Sequence, residues 1–117
     1  MKKVYYLSTC DTCKRIMKEL NLDDNFELQD IKTQKITPSQ LDEMKELSGS
    51  YEPLFSRVAR KYKELGLKEL ELTEEDYRKF ILDEYTFLKR PVFVFKDRIF
   101  VGNSKKNIEA LKQYLNP

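Results

Sequence analysis

The first third of the chain alternates between a strand pattern and a helix pattern. Residues 4–7 form an unbroken apolar run, as expected of a strand that is buried on both faces. Cys13, Ile16, Met17 and Leu20 then recur with helical spacing, which predicts a helix that runs to about residue 21. The segment "FELQDI", residues 26–31, predicts a second strand. A β-α-β unit of this kind places its two strands parallel.

The middle of the chain has a helical pattern. The segment "TPSQ" predicts a helix start, with Thr37 as N-cap, Pro38 in the first turn and Gln40 completing a capping box, and Gly49 predicts its end. Apolar residues keep helical spacing over residues 51–65, so we predict a second helix there that stops at Gly66. The segment "TEED", residues 73–76, predicts the start of a third.

The last third returns to strands. Residues 91–95 and 98–101 predict a hairpin joined by Lys96 and Asp97, and an amphipathic helix capped near Ser104 follows. The order β-α-β, helical insertion, β-β-α is that of the thioredoxin fold, an α/β fold with a four-stranded mixed sheet. We therefore predict a single thioredoxin-like domain over residues 1–117, with a helical insertion at about residues 34–88.

Composition narrows the classes of function. A chain of 117 residues is the length of one domain, and 22 basic against 20 acidic residues are too balanced for direct binding to nucleic acid through bulk charge. No apolar run is long enough to span a membrane or to act as a signal peptide. We therefore expect a cytoplasmic protein without membrane contact, and in that compartment a CxxC pair is more often catalytic or metal-binding than a structural disulfide.

The segment "STCDTC" holds both cysteines of the chain, at the predicted junction between the first strand and the first helix. A closed zinc site needs four ligands, and with two thiols and no histidine only a dimer sharing two pairs could supply them. Cys13 falls on the apolar helix face and could simply be a buried hydrophobic residue. Cys10 precedes the first helical turn, where the helix dipole, Lys14 and Arg15 favour a thiolate. We favour redox chemistry, in which Cys10 attacks and Cys13 resolves.

A proline and an arginine precede the third strand in "KRPVFVF", residues 89–95. In thioredoxin-like folds the proline at this place is commonly cis, and Pro91 occupies it. Arg90 would then point towards Cys10 and address a thiolate or a bound anion, although an arginine beside a strand is often only a surface residue.

Arg57 and Arg60 form a basic stripe on the predicted helix over residues 51–65. Such a stripe is commonly the solvated face of an amphipathic helix. If the insertion folds over the CxxC loop, either guanidinium could bind an oxyanion, for which its fork of donors is suited.

Residues 4–13, 54–67 and 88–102, together with "ELGL" and "LKRPVFVF", resemble the arsenate reductase family of glutaredoxin-related fold, which also contains the Spx transcription regulators. The resemblance covers nearly the full chain. It implies that Cys10 is the nucleophile and Arg90 an anion ligand. A second arginine of the family corresponds to the neighbourhood of Arg57, although an alignment without gaps places it at Val58. A third family arginine falls near Gly102, where this chain has no arginine; Arg98 lies four residues earlier.

The resemblance leaves three functions open. The CxxC pair and the displaced arginines favour a thiol-disulfide oxidoreductase without metal or organic cofactor, reduced by glutathione, glutaredoxin or thioredoxin. A second possibility is an Spx-type redox sensor that binds the α-subunit of RNA polymerase, for which Gly49 lies near the expected contact position. The third is glutathione- and glutaredoxin-dependent reduction of arsenate.

Overall fold

A four-stranded sheet and five α-helices make up the part of the chain that the computed structural model describes, residues 2–117. In chain order the elements are β1 (Lys2–Tyr6), α1 (Asp11–Leu20), β2 (Phe26–Asp30), α2 (Pro38–Ser48), α3 (Arg60–Glu64), α4 (Glu74–Asp83), β3 (Val92–Val94), β4 (Ile99–Val101) and α5 (Lys105–Leu115). They belong to two units, one formed by the chain up to Gln34 with Arg90–Pro117, the other by Lys35–Lys89. No helix within residues 2–117 is long and apolar enough to cross a membrane.

The first unit contains the sheet, in the order β2-β1-β3-β4. The pair β1 and β2 is parallel, whereas β3 runs antiparallel to both β1 and β4. The predicted thioredoxin-like fold with a mixed sheet is therefore confirmed. Its core is a cluster of buried side chains from the sheet and α5: Val4, Phe26, Phe93, Phe95, Phe100 and Leu111.

The β3–β4 hairpin and the start of α5 form at the predicted residues. The Phe95 N–H donates to the Arg98 carbonyl at 2.8 Å, which closes the β3–β4 hairpin around the predicted two-residue link. Ser104 caps α5 by accepting a hydrogen bond from the Asn107 N–H at 3.1 Å. The cap and the apolar stripe of α5 are therefore confirmed at Ser104, Ile108 and Leu111.

The second unit is built on α2 and α4, whose first turns both form capping boxes. Thr37 and Gln40 cap α2 reciprocally, as predicted, and Gly49 ends the helix with φ +92°. Thr73 caps α4 in the same way. Asp42 of α2 joins the two helices, because it accepts hydrogen bonds from the Tyr51 hydroxyl at 2.6 Å and from Arg78 of α4 at 2.9 Å and 3.2 Å.

The prediction of one continuous helix over residues 51–65 is wrong. The chain forms a 3-10 turn at Glu52–Leu54, passes through the extended residue Phe55 and a turn at residues 57–58, and then forms only the short helix α3. Phe55 is extended and pairs with Leu88 as an isolated antiparallel bridge, and its ring stacks on Phe87 at 5.0 Å. These contacts take the backbone out of the helix, and Val58, one of the apolar residues with helical spacing, is 94% exposed.

Candidate active site

The two cysteines lie where β1 passes into α1. A turn over residues 7–10 connects the two elements and is closed by the Cys10 N–H, which donates to the Leu7 carbonyl at 2.9 Å. Cys10 is the N-cap residue of α1, with φ −98° and ψ 107°. Its sulfur therefore lies near the positive end of the helix dipole, beside the N–H groups of the first turn.

The two thiols differ in their access to solvent. Both are free cysteines; Cys10 is partly exposed, whereas Cys13 is 0% exposed on the buried face of α1. A reagent or substrate in solution can therefore reach Cys10 but not Cys13. Burial of Cys13 agrees with its predicted position on the apolar face, together with Ile16.

Arg90 reaches the same region from the residues before β3, the strand that neighbours β1 in the sheet. The antiparallel register pairs Tyr5 with Val92, so the chain direction brings Arg90 level with Leu7, at the start of the cysteine turn. The Arg90–Pro91 peptide bond is cis, which confirms the conformation predicted for this proline. Pro91 is buried, and its carbonyl accepts a hydrogen bond from the Gly102 N–H at 2.9 Å.

The surroundings of the two thiols shift their pKa values in opposite directions. Burial opposes ionisation of Cys10, but hydrogen bonds from the backbone and side chain of Cys13, and the charge and hydrogen bond of Arg90, lower its pKa below the ordinary cysteine value. Burial, with the hydrogen bond and the negative charge of Cys10, raises the pKa of Cys13 to about 12. Near neutral pH, Cys10 is therefore the better nucleophile and Cys13 keeps its proton.

Arg57 and Arg60, the other predicted anion ligands, belong to the second unit. Arg57 forms an ion pair with Glu52 at 3.0 Å and donates to the Tyr77 hydroxyl at 2.9 Å. Arg60 is exposed and begins α3. Since Arg57 lies outside that helix, the predicted helical stripe of the two arginines does not exist.

Arg98 lies in the first unit. Its guanidinium stacks over the rings of Phe100 and Tyr114, at 5.3 Å and 5.2 Å from their centroids. Within residues 2–117, no cluster of three or more histidine, cysteine, aspartate or glutamate side chains could hold a metal ion.

Sequence reasoning missed one polar residue beside the cysteine turn. Asp30, the last residue of β2, accepts a hydrogen bond from the Ser8 N–H at 3.2 Å. Hydrogen bonding from the Ser8 side chain outweighs burial and, with the N–H groups of Lys32 and Ser8, holds the pKa of Asp30 below its usual range. The sequence did predict Asp30 near the end of a strand parallel to β1, and the C-terminal ends of these two strands lie side by side, where the cysteine turn begins.

Comparison with known proteins supports the family resemblance. The model of the ArsC family matches residues 5–111. An ArsC family related protein from Bacteroides fragilis is 26% identical, with a TM-score of 0.75 over 94% of this chain and 97% of its own. A protein from Staphylococcus aureus COL is 25% identical, with a TM-score of 0.72 over 94% of this chain and 97% of its own.

At lower identity the similarity extends to the fold alone. The arsenate reductase from Vibrio cholerae is 14% identical, with a TM-score of 0.76 over 95% of each chain. A comparison with curated protein sequences finds no significant match.

Proposed function

This chain belongs to the ArsC family, a family of thiol-dependent oxidoreductases, and we propose that it is a thiol-disulfide oxidoreductase that uses Cys10 and Cys13 as a redox pair. The observation that carries the proposal is the asymmetry of the two thiols. Cys10 is accessible and has a lowered pKa, whereas Cys13 is buried in the first turn of α1 and keeps its proton near neutral pH. A nucleophile and a resolving thiol need these different properties.

In the first step the Cys10 thiolate attacks one sulfur of a substrate disulfide. A bond forms between Cys10 and that sulfur, the substrate S–S bond breaks, and the other substrate sulfur leaves as a thiolate. Arg90 and the Cys13 N–H stabilise the attacking thiolate before the step. Since low thiolate pKa also lowers intrinsic nucleophilicity, the gain comes from the larger fraction of thiolate near neutral pH.

In the second step Cys13 attacks the Cys10 sulfur. Cys13 first loses its proton to solvent or to the departing thiolate; its thiolate then forms the Cys10–Cys13 disulfide and releases the second substrate thiolate. Two of the causes that raise the pKa of Cys13 are the hydrogen bond and the charge of Cys10. Both disappear once Cys10 is in the mixed disulfide, so the resolving thiol becomes easier to ionise at the moment when it is needed.

The cycle closes when an external thiol reduces the Cys10–Cys13 disulfide. The two electrons that the substrate received are then replaced by glutathione, glutaredoxin or thioredoxin. Reduction starts at Cys10, because Cys13 is 0% exposed and an external thiol cannot reach it.

Arsenate reduction is the second candidate, and the name of the Vibrio cholerae neighbour favours it. Two observations within this chain argue against it. Arg57 is already engaged with Glu52 and Tyr77, and Arg98 is stacked on two aromatic rings. An oxyanion would have to displace these partners to obtain either arginine as a ligand.

The position of Gly49 does not favour a regulator that binds RNA polymerase. Gly49 ends α2 with φ +92°, a backbone conformation that alone accounts for a glycine. The residue therefore requires no partner surface to explain it.

Single-cysteine variants test the proposal. We expect Cys10→Ser to abolish turnover of a mixed disulfide of glutathione with a small thiol, and Cys13→Ser to accumulate a stable adduct of one glutathione on Cys10, seen by mass spectrometry. The wild-type chain should instead form the intramolecular disulfide, whose mass is about 2 Da below that of the dithiol because two hydrogens are lost. Full disulfide turnover by Cys10→Ser, or arsenate turnover by the wild type with glutathione and glutaredoxin exceeding its disulfide turnover, would overturn the assignment.

A further inference from the structure

We propose that Asp30 is a positioning residue for the nucleophile: its carboxylate fixes the turn over residues 7–10 and thereby the place of Cys10 at the start of α1. This inference rests on the proposed function, because it concerns how the same thiol is held. Asp30 does not touch the sulfur or a substrate. It acts through Ser8, two residues before Cys10.

The hydrogen bonds of Asp30 reach the turn from a neighbouring strand. The Ser8 N–H donates to Asp30 Oδ1 at 3.2 Å, and the Lys32 N–H donates to the same oxygen at 3.2 Å. The carboxylate is therefore fixed by the turn that follows β2, through Lys32, and it fixes in turn the segment that follows β1, through Ser8. The parallel register, which pairs Tyr6 with Asp30, makes this reach possible.

The turn that Asp30 holds contacts both cysteines, Cys10 through its backbone and Cys13 through its thiol. The Leu7 carbonyl accepts the Cys10 N–H at 2.9 Å, and the Leu7 N–H is a hydrogen-bond donor that opposes the raised pKa of Cys13. Ser8 is the next residue, and it is fixed by Asp30. A shift of this turn would therefore change the position of Cys10 relative to the donors that stabilise its thiolate, the Cys13 N–H and Arg90.

Geometry, and not charge, is the means by which Asp30 acts. The causes that set the ionisation of Cys10 are burial, Cys13 and Arg90, and the charge of Asp30 is not among them. A direct effect of a nearby carboxylate would moreover disfavour the thiolate, since like charges repel. Replacement by an uncharged acceptor and replacement by a residue with no acceptor should therefore have different effects.

The test compares Asp30→Ala with Asp30→Asn. The pH dependence of iodoacetamide alkylation of Cys10 is measured by mass spectrometry on the reduced chains, from about pH 5 to about pH 10. Asp30→Ala removes the acceptor, and we expect its alkylation rate below the wild-type midpoint to fall about fivefold, with the midpoint moving to higher pH. Asp30→Asn keeps an acceptor oxygen for the Ser8 N–H and should titrate like the wild type. The matched control is Asp42→Ala, which removes a hydrogen-bonded carboxylate from the other unit and should leave the midpoint unchanged.

Two results would overturn the role of Asp30. One is a wild-type midpoint in Asp30→Ala; the other is an equal upward shift in Asp30→Asn, which would show that an acceptor oxygen at position 30 is not what holds the turn. If Asp30→Ala does not fold, Asp30→Leu takes its place, because leucine is close to asparagine in volume and offers no acceptor to the Ser8 N–H. A raised midpoint in Asp30→Leu supports the role, and a wild-type midpoint refutes it. The proposed function fails separately, if Cys10 of the wild-type chain itself titrates at the ordinary cysteine value.

Discussion

Replacing Arg90 by methionine removes a cation and a hydrogen-bond donor from beside Cys10 at nearly constant volume. Burial of Cys10 and its hydrogen bonds with Cys13 remain, so the variant isolates the last two causes that lower the pKa of this thiol. Hydrogen bonds to charged groups contribute about 1.5–3 kcal/mol. Because Cys10 is partly exposed, solvent screening reduces this to about 1 kcal/mol, or about fivefold in the ionisation constant.

We expect the alkylation midpoint of Cys10 in Arg90→Met to rise by about 0.7 pH unit. The rate at a pH below both midpoints should fall about fivefold, while the rates well above both midpoints should converge. The matched control is Arg57→Met, which removes an arginine that is paired with Glu52 and should not move the midpoint. An unchanged midpoint in Arg90→Met would show that Arg90 does not stabilise the thiolate.

The same substitution has a consequence for stability whose sign follows from the pKa shift. The pKa of Cys10 is lower in the folded than in the unfolded chain, so ionised Cys10 adds stability above the unfolded value, and this is lost as the pH falls through the folded value. The difference in free energy of unfolding between wild type and Arg90→Met should therefore grow with pH and level off near about pH 8.5. Urea denaturation of the reduced chains measures it, and a difference that shrinks over this range would contradict the pKa assignment.

Three further predictions concern the resolving thiol, the core and a helix end. The raised pKa of Cys13 stabilises the fold fully below the unfolded value, and this stability is lost as the pH rises towards about 12. Between about pH 9 and about pH 10 the wild type should therefore lose about 1 kcal/mol more than Cys13→Ala by urea denaturation, and equal losses would contradict the raised pKa. Leu111→Ala should cost about 3 kcal/mol because this side chain is 0% exposed, whereas the half-exposed Leu65→Ala should change the midpoint little; similar costs would place the core elsewhere. Gly49→Ala should cost about 1 kcal/mol, since φ is +92° and a Cβ would meet no atom within 4 Å; no loss of stability would argue against the left-handed helix end.

Features that depend on a few neighbouring residues could be predicted from the sequence. Thr37 and Gln40 cap α2 because both hydrogen bonds of a capping box close within three residues. The two-residue link of the hairpin and the αL end at Gly49 are local in the same sense. The placement of the CxxC pair at a strand-to-helix junction also follows from local periodicity, and it identified the site.

Features that depend on partners distant in the chain could not be predicted in this way. The apolar residues among 55–59 have helical spacing, yet Phe55 pairs with Leu88 and stacks on Phe87, both of which lie about 30 positions later in the chain. Helical spacing of apolar residues indicates which side chains could face a core, but it does not contain the position of that core. The prediction for this segment failed for that reason.

The sequence by itself determined the order of elements, the capped helices and the position of the two thiols, because each of these depends on residues that lie close together in the chain. Only the tertiary structure decided which thiol is accessible, that Arg90 lies beside Cys10, and that Asp30 accepts a hydrogen bond from Ser8 in the cysteine turn. Burial, the charge at Cys10 and the hydrogen bond from Ser8 all arise where strands separated in the chain become neighbours in the sheet. The residues of "STCDTC" therefore supply the two thiols, and the register of β1 with β2 and β3 determines which groups surround each of them.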